Sequence, residues 1–144
     1  MFGIIVGTHG QFATGIVQSC EMIFGKRDKL KAVTLMPGEG PDDVVAKYEQ
    51  AIKELGTEKI LFLNDLMGGS PYNAACRLVA TNPNYGIVAG VNLPGLIAMS
   101  AAQDIDDGTT PIEQIMAEAF DACKDGVAIS SYESLNAESD DDEL

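Results

Sequence analysis

The run Ile60-Leu61-Phe62-Leu63 is apolar at every position, so neither of its faces suits water. A strand with one wet side alternates apolar and polar residues. An uninterrupted run of this kind fits a strand covered on both faces, as in a parallel sheet layered by helices. Residues 3–7, Gly3-Ile4-Ile5-Val6-Gly7, form a second such run. Between these runs the apolar spacing changes to that of helices, with Phe12, Ile16, Cys20 and Ile23 in one segment and Val44, Val45, Tyr48, Ile52 and Leu55 in another.

The breaks between segments carry their own signals. Gly25, Gly56 and Gly126 stop helices, and Pro41 with Asp42 and Asp43 opens one. Ser70-Pro71 reads as an N-cap and first-turn proline, and Thr110-Pro111-Ile112-Glu113 as a capping box. Strands are predicted at 3–7, 30–35, 59–63 and 85–91, with a short fifth at 127–130. Helices are predicted at 11–24, 41–55, 70–80, 94–102 and 110–124. Strands alternating with helices predict a single doubly wound α/β domain: about four parallel strands plus a short C-terminal strand, with helices on both faces. The domain is expected to span residues 1–131, leaving 132–144 as an acidic, disordered tail.

A chain of 144 residues suffices for one such domain without a disulfide or metal staple. Cys20, Cys76 and Cys123 are scattered and fit neither a zinc site nor a redox pair, so they read as small core residues of a reducing compartment. The N-terminus lacks a basic leader, and no window approaches ~18 apolar residues. A cytoplasmic protein that reaches membranes only through partners is expected. The net charge of −13 argues against nucleic acid, although the tail alone holds six of the acids. The methionines at 22, 36, 99 and 116 are expected to fill the core, whereas Met67 belongs to a loop.

In a doubly wound sheet, ligands bind beyond the C-terminal ends of the strands, where the strand order reverses. For a short fold of this kind that point lies between the first and third strands. The loop Gly7-Thr8-His9-Gly10 therefore meets Asn64-Asp65-Leu66-Met67-Gly68-Gly69-Ser70, and the chain's one histidine meets an aspartate and a glycine-rich helix start. A neutral imidazole is a good nucleophile near pH 7, and a carboxylate on its other nitrogen fixes the tautomer. Asp65 fits that orienting role or an ordinary loop cap. Gly10, Gly68 and Gly69 leave backbone amides open to an anion, and Ser70 offers a hydroxyl at a helix N-terminus. One histidine with one or two carboxylates makes a poor zinc site, so no metal and no cofactor are expected. The turn Pro37-Gly38-Glu39-Gly40-Pro41 on the same rim reads as structural, and no dinucleotide or Walker pattern is present.

At these loops the sequence resembles the enzyme IIA component of the mannose-type branch of the bacterial phosphoenolpyruvate:sugar phosphotransferase system. The matching segments are Ile5-Val6-Gly7-Thr8-His9-Gly10, Met36-Pro37-Gly38-Glu39, Leu61-Phe62-Leu63-Asn64-Asp65, Gly68-Gly69-Ser70-Pro71-Tyr72-Asn73-Ala74-Ala75 and Ala89-Gly90-Val91-Asn92-Leu93-Pro94. The resemblance implies a phosphotransferase that is phosphorylated on His9 by the phosphocarrier HPr and passes the group to a IIB component. It implies Asp65 as the orienting partner, Ser70 beside the phosphate, Nε2 as the phosphorylated nitrogen and a homodimer formed through the last strand. IIC and IID membrane components are implied only indirectly. Leu66 and Met67 depart from the threonine and tryptophan that members often carry there, which shifts phosphate contacts toward backbone amides. The chain is expected to be a stand-alone IIA. Competing readings are the related phosphoryl donor for dihydroxyacetone kinase, a flavodoxin-like module binding a flavin or nucleotide, and a regulatory protein switched by phosphorylation.

Overall fold

A computed structural model describes residues 1–142, with side chains through Ala137. Four strands make one parallel sheet in the order β2-β1-β3-β4: β1 is Gly3–His9, β2 Leu30–Leu35, β3 Ile60–Asn64 and β4 Tyr85–Ala89. The helices are α1 (Phe12–Phe24), α2 (Pro41–Leu55), α3 (Ser70–Val79), α4 (Leu93–Ile105), α5 (Ile112–Asp125) and α6 (Tyr132–Asp142). The doubly wound α/β fold expected from the alternation is thus present.

The two central strands are buried on both faces, as their composition requires. Ile4, Val6, Leu61 and Leu63 point into a core shared with Ile16, Cys20, Leu96, Met99 and Ile115 from α1, α4 and α5. Ile5, Ile60 and Phe62 point the other way, against Val44, Tyr48 and Leu55 of α2 and Ala74 and Ala75 of α3. There Phe62 meets Tyr48 edge to face, with ring centroids 5.0 Å apart, and Tyr85 at 6.1 Å. After β2 the chain crosses back over β1 to reach β3, so the winding reverses between β1 and β3. Both neighbours run parallel to β1, and Gly7 lies opposite Asn64 at the carboxyl end.

Several local readings are corrected. The buried stripe of α1 is Ala13, Ile16, Val17 and Cys20, while Phe12, Met22 and Ile23 face solvent. Met22 lies off the stripe that meets the sheet and fills no core. Gly69 rather than Ser70 is the N-cap of α3, and Ser70 is its first residue. The expected capping box at Thr110 does not form, because Pro111 takes the N-cap position of α5. Proline has neither a side-chain acceptor nor an amide to close a box. Strand β4 stops at Ala89, before Gly90 with its φ of 95°. Helix α4 runs to Ile105, one turn beyond expectation, its start capped by Asn92 Oδ1, which accepts from the Gly95 amide at 2.9 Å.

Among the described residues, 127–130 pair with no strand, and Val127 and Ile129 are exposed. A strand needs a neighbour for its amides and carbonyls, and the chain turns into α6 instead of returning along β4. Residues 132–142, expected to be disordered, are helical, and Glu143 and Leu144 lie outside the described residues. Ser131 and Ser134 start this helix by accepting each other's amides at 2.9 and 3.1 Å. Cys20 and Cys123 are buried and all three cysteines are free thiols, as their scatter suggested. No helix among the described residues is long and apolar enough to cross a membrane.

Gly7 is the tightest point of this packing, since a Cβ there would collide with the hydroxyl of the fully buried Tyr48. Gly7→Ala is expected to cost about 1–3 kcal/mol through overpacking. Urea denaturation checks this, and an unchanged midpoint would contradict it.

Candidate functional site

Strand β1 delivers His9 at its carboxyl end, two residues beyond the Gly7–Asn64 pairing. Strand β3 ends at Asn64, so Asp65 is the first residue of the following loop. Its carboxylate turns back onto β1. Asp65 Oδ2 accepts from the His9 amide at 3.0 Å and contacts Nδ1 of the ring at 2.7 Å. The other oxygen, Oδ1, accepts from the Leu66 amide at 3.0 Å. One carboxylate oxygen therefore holds both the backbone and the side chain of His9.

The electrostatics fit this geometry. Partial burial pushes the Asp65 carboxyl up, but the His9 amide, the imidazole and its charge, and the Leu66 amide together outweigh burial and hold it below the ordinary aspartate range. An ionised carboxylate only accepts hydrogen bonds, so Nδ1–H is the donor in the 2.7 Å contact with Asp65. The imidazole is 45% exposed and the Asp65 side chain only 10%. The ring is thus anchored on its inner edge and open on its outer one.

Helix α3 begins against that outer edge. A Cβ on Gly69 would stand 2.6 Å from His9 Cε1 and 3.2 Å from Nε2, so only glycine lets the backbone come this close. The amides of Gly69 and Ser70 and the Ser70 hydroxyl have no hydrogen-bond partner among the described residues. These donors stand at the positive end of a ten-residue helix, which suits an anion. Gly68 makes the turn before them with a φ of 89°, and its carbonyl accepts from the Asn73 side chain at 3.3 Å.

Gly10 plays a different part from the one its sequence position suggested. Its amide donates to the Leu35 carbonyl at 2.8 Å, and its φ of 55° turns the chain from β1 into α1. The amide is therefore occupied. Thr8, which the sequence did not single out, is fully buried, and its hydroxyl accepts from the Ala13 amide at 2.7 Å. It caps α1 from five residues away, a spacing outside the usual capping pattern. The Pro37 turn is tied down by Glu39, which accepts from the Met36 amide at 2.8 Å and pairs with Lys47 at 2.6 Å. Leu66 and Met67 are exposed beside the site. Among the described residues no group of three or more His, Cys, Asp or Glu is placed to hold a metal.

A histidine clamped at the switch point of a small parallel sheet, with open helix amides beside it, lies where α/β domains of this architecture place their ligand sites. Solved structures narrow the class. The chain superposes on the phosphotransferase system component EIIA from Streptococcus agalactiae with a TM-score of 0.80, covering 90% of this chain and 97% of that one, at 24% identity. It superposes on the mannose/sorbose-specific IIA subunit from Enterococcus faecalis with a TM-score of 0.78, covering 90% and 94%, at 28% identity. The EIIA-man family model, described as PTS system fructose IIA component, matches residues 3–116. The PTS system fructose-specific EIIA component of Bacillus subtilis is 32% identical over 148 residues, across all of both chains. The PTS system mannose-specific EIIAB component of Escherichia coli K12 is 35% identical over 125 residues, or 86% of this chain. The chain spans only 38% of that protein. It belongs to the mannose-type IIA family of the phosphoenolpyruvate:sugar phosphotransferase system.

The lowered pKa of Asp65 sets a pH dependence. A carboxyl that is more acidic folded than unfolded stabilises the fold above its unfolded pKa, and that contribution fades as pH falls through the folded one. Asp65→Asn should therefore flatten the acid limb of stability below about pH 4. Urea midpoints over a pH series measure it, and parallel acid limbs for both proteins would contradict it.

Proposed function

We propose that the chain is a phosphocarrier of sugar uptake, in which Nε2 of His9 accepts a phosphoryl group from HPr and passes it to a IIB component. The observation that carries this reading is the hold of one Asp65 oxygen on both the His9 amide and Nδ1. That hold keeps the proton on Nδ1 and presents Nε2 as the nucleophile. The Nε2 lone pair forms a bond to phosphorus while the bond from phosphorus to the donor breaks, its electron pair remaining with the donor. Positive charge builds on the ring and is stabilised by the Asp65 carboxylate. The phosphoryl oxygens face the amides of Gly69 and Ser70 and the Ser70 hydroxyl. Transfer to IIB reverses these steps with a new acceptor.

The chain handles the phosphoryl group and not the sugar, and its relatives carry the names of different sugars, mannose and fructose among them. Those names favour transport over a dihydroxyacetone-kinase donor or a cofactor-binding module. In this scheme the protein works in the cytoplasm and reaches IIC and IID through IIB. Residues 1–131 act as the IIA domain.

Homodimer formation is part of the proposal. Strand β4 is an open edge of the sheet, flanked by an apolar groove lined by Met67, Tyr72, Met116 and Phe120. Residues 127–130, exposed and unpaired in one chain, supply a strand to the β4 edge of a second copy.

Phosphorylation by phosphoenolpyruvate, enzyme I and HPr, followed by intact mass, should add one acid-labile phosphoryl group. His9→Ala should accept none while staying folded, and persistent labelling of that variant would overturn the assignment. Asp65→Ala should slow transfer by about 10²–10³-fold, and an unchanged rate would reduce Asp65 to a loop cap. Ending the chain at Gly126 should weaken dimerisation, and a truncated protein that sediments as the same dimer would contradict the proposed interface.

A further inference from the structure

Beneath the site lies a buried polar group of four residues that the chemistry above does not use. Tyr48 of α2 is fully buried, and its hydroxyl donates to the Pro71 carbonyl at 2.9 Å. The same hydroxyl accepts from Asn64 Nδ2 at 3.0 Å, and Nδ2 also donates to the Gly7 carbonyl at 2.8 Å. The group therefore joins β1 two residues before His9, β3 one residue before Asp65, and α3 two residues after Gly69. The Tyr48 hydroxyl bonds α3 and β3 directly and reaches β1 through Asn64.

We infer that Tyr48 is a positioning residue for phosphoryl transfer, its hydroxyl setting the distance between the His9 ring and the N-terminus of α3. The inference rests on His9 being the phosphorylated residue. The spacing is tight from both sides. Gly7 leaves just the room that the Tyr48 hydroxyl fills, and Gly69 leaves the room that the imidazole edge fills. A hydroxyl at Tyr48 holds Pro71, and Pro71 follows Gly69, whose backbone stands against the edge of the His9 ring. Burial, the largest influence, and the nearby Asp65 charge raise the Tyr48 pKa while the Asn64 hydrogen bond lowers it; the net shift is upward, so the hydroxyl stays a donor over the working pH range. Phenylalanine at this position would keep the ring packing against Phe62 but would free α3 from its tie to the strand ends.

Displacement of a reacting geometry by less than an ångström lowers the rate of the chemical step without weakening partner docking. The test is steady-state transfer from phospho-HPr to the wild-type protein, Tyr48→Phe and Gly69→Ala, well below each protein's unfolding temperature. Tyr48→Phe is expected to lose about tenfold in kcat with KM for phospho-HPr unchanged. The imidazole nitrogen resonances of phospho-His9 should shift with it, which a purely structural role would not cause. Gly69→Ala sets the same spacing from the solvent side, with no backbone strain, and should also lower kcat. Wild-type kcat in folded Tyr48→Phe would overturn the inference. So would wild-type kcat in Gly69→Ala, which decides the question even where Tyr48→Phe does not fold. Failure of the wild-type protein to accept any phosphoryl group would instead remove the underlying reading, and the inference with it.

Discussion

The parallel pairing of β1 with β3 is the constraint on which the rest depends. Both strands are apolar on two faces, so each must be covered by helices on both sides, and the crossing helices then dictate the strand order. That order reverses between these two strands and leaves their carboxyl ends side by side. His9 and Asp65 lie 56 residues apart in the chain, and their hydrogen bond follows directly from the register. The hydrophobic effect that builds the sheet therefore also assembles the chemistry, with no separate device for bringing the two residues together.

Much of this was legible in the sequence because it rests on local pattern. The runs at Ile4 and Ile60 announced doubly buried strands, and Pro41 with its acids announced α2. The convergence of the His9 and Asp65 loops followed from topology, before any contact was known. What stayed hidden depends on three-dimensional fit. The amide of Gly10 looked open to an anion until β2 supplied Leu35 as its acceptor. Thr8 gave no capping signal because its helix partner lies five residues away. Tyr48 read as one apolar position on a helix, since its hydroxyl finds partners only when α2 covers the ends of β1 and β3. The segment 127–130 had strand composition, but composition does not supply a neighbour, and the chain turns into α6 instead.

The two glycines nearest the chemistry act through the space they leave. Neither Gly7 nor Gly69 appears among the residues with positive φ, so neither is required by backbone conformation. Each instead admits a particular neighbour, Tyr48 in one case and the imidazole in the other. Close packing of this sort transmits small displacements instead of absorbing them, so the site inherits its precision from the interior beneath it.

The double hold of Asp65 has a consequence for traffic through the site. One oxygen grips both the amide and the ring, and Gly69 at the start of α3 stands against one flank of the imidazole. In the proposed transfer, a group that arrives at Nε2 would leave through the same aperture. Donor and acceptor would then take turns at one doorway, and crowding by either would exclude the other. Throughput in such an arrangement is a queue, governed by how quickly each visitor departs.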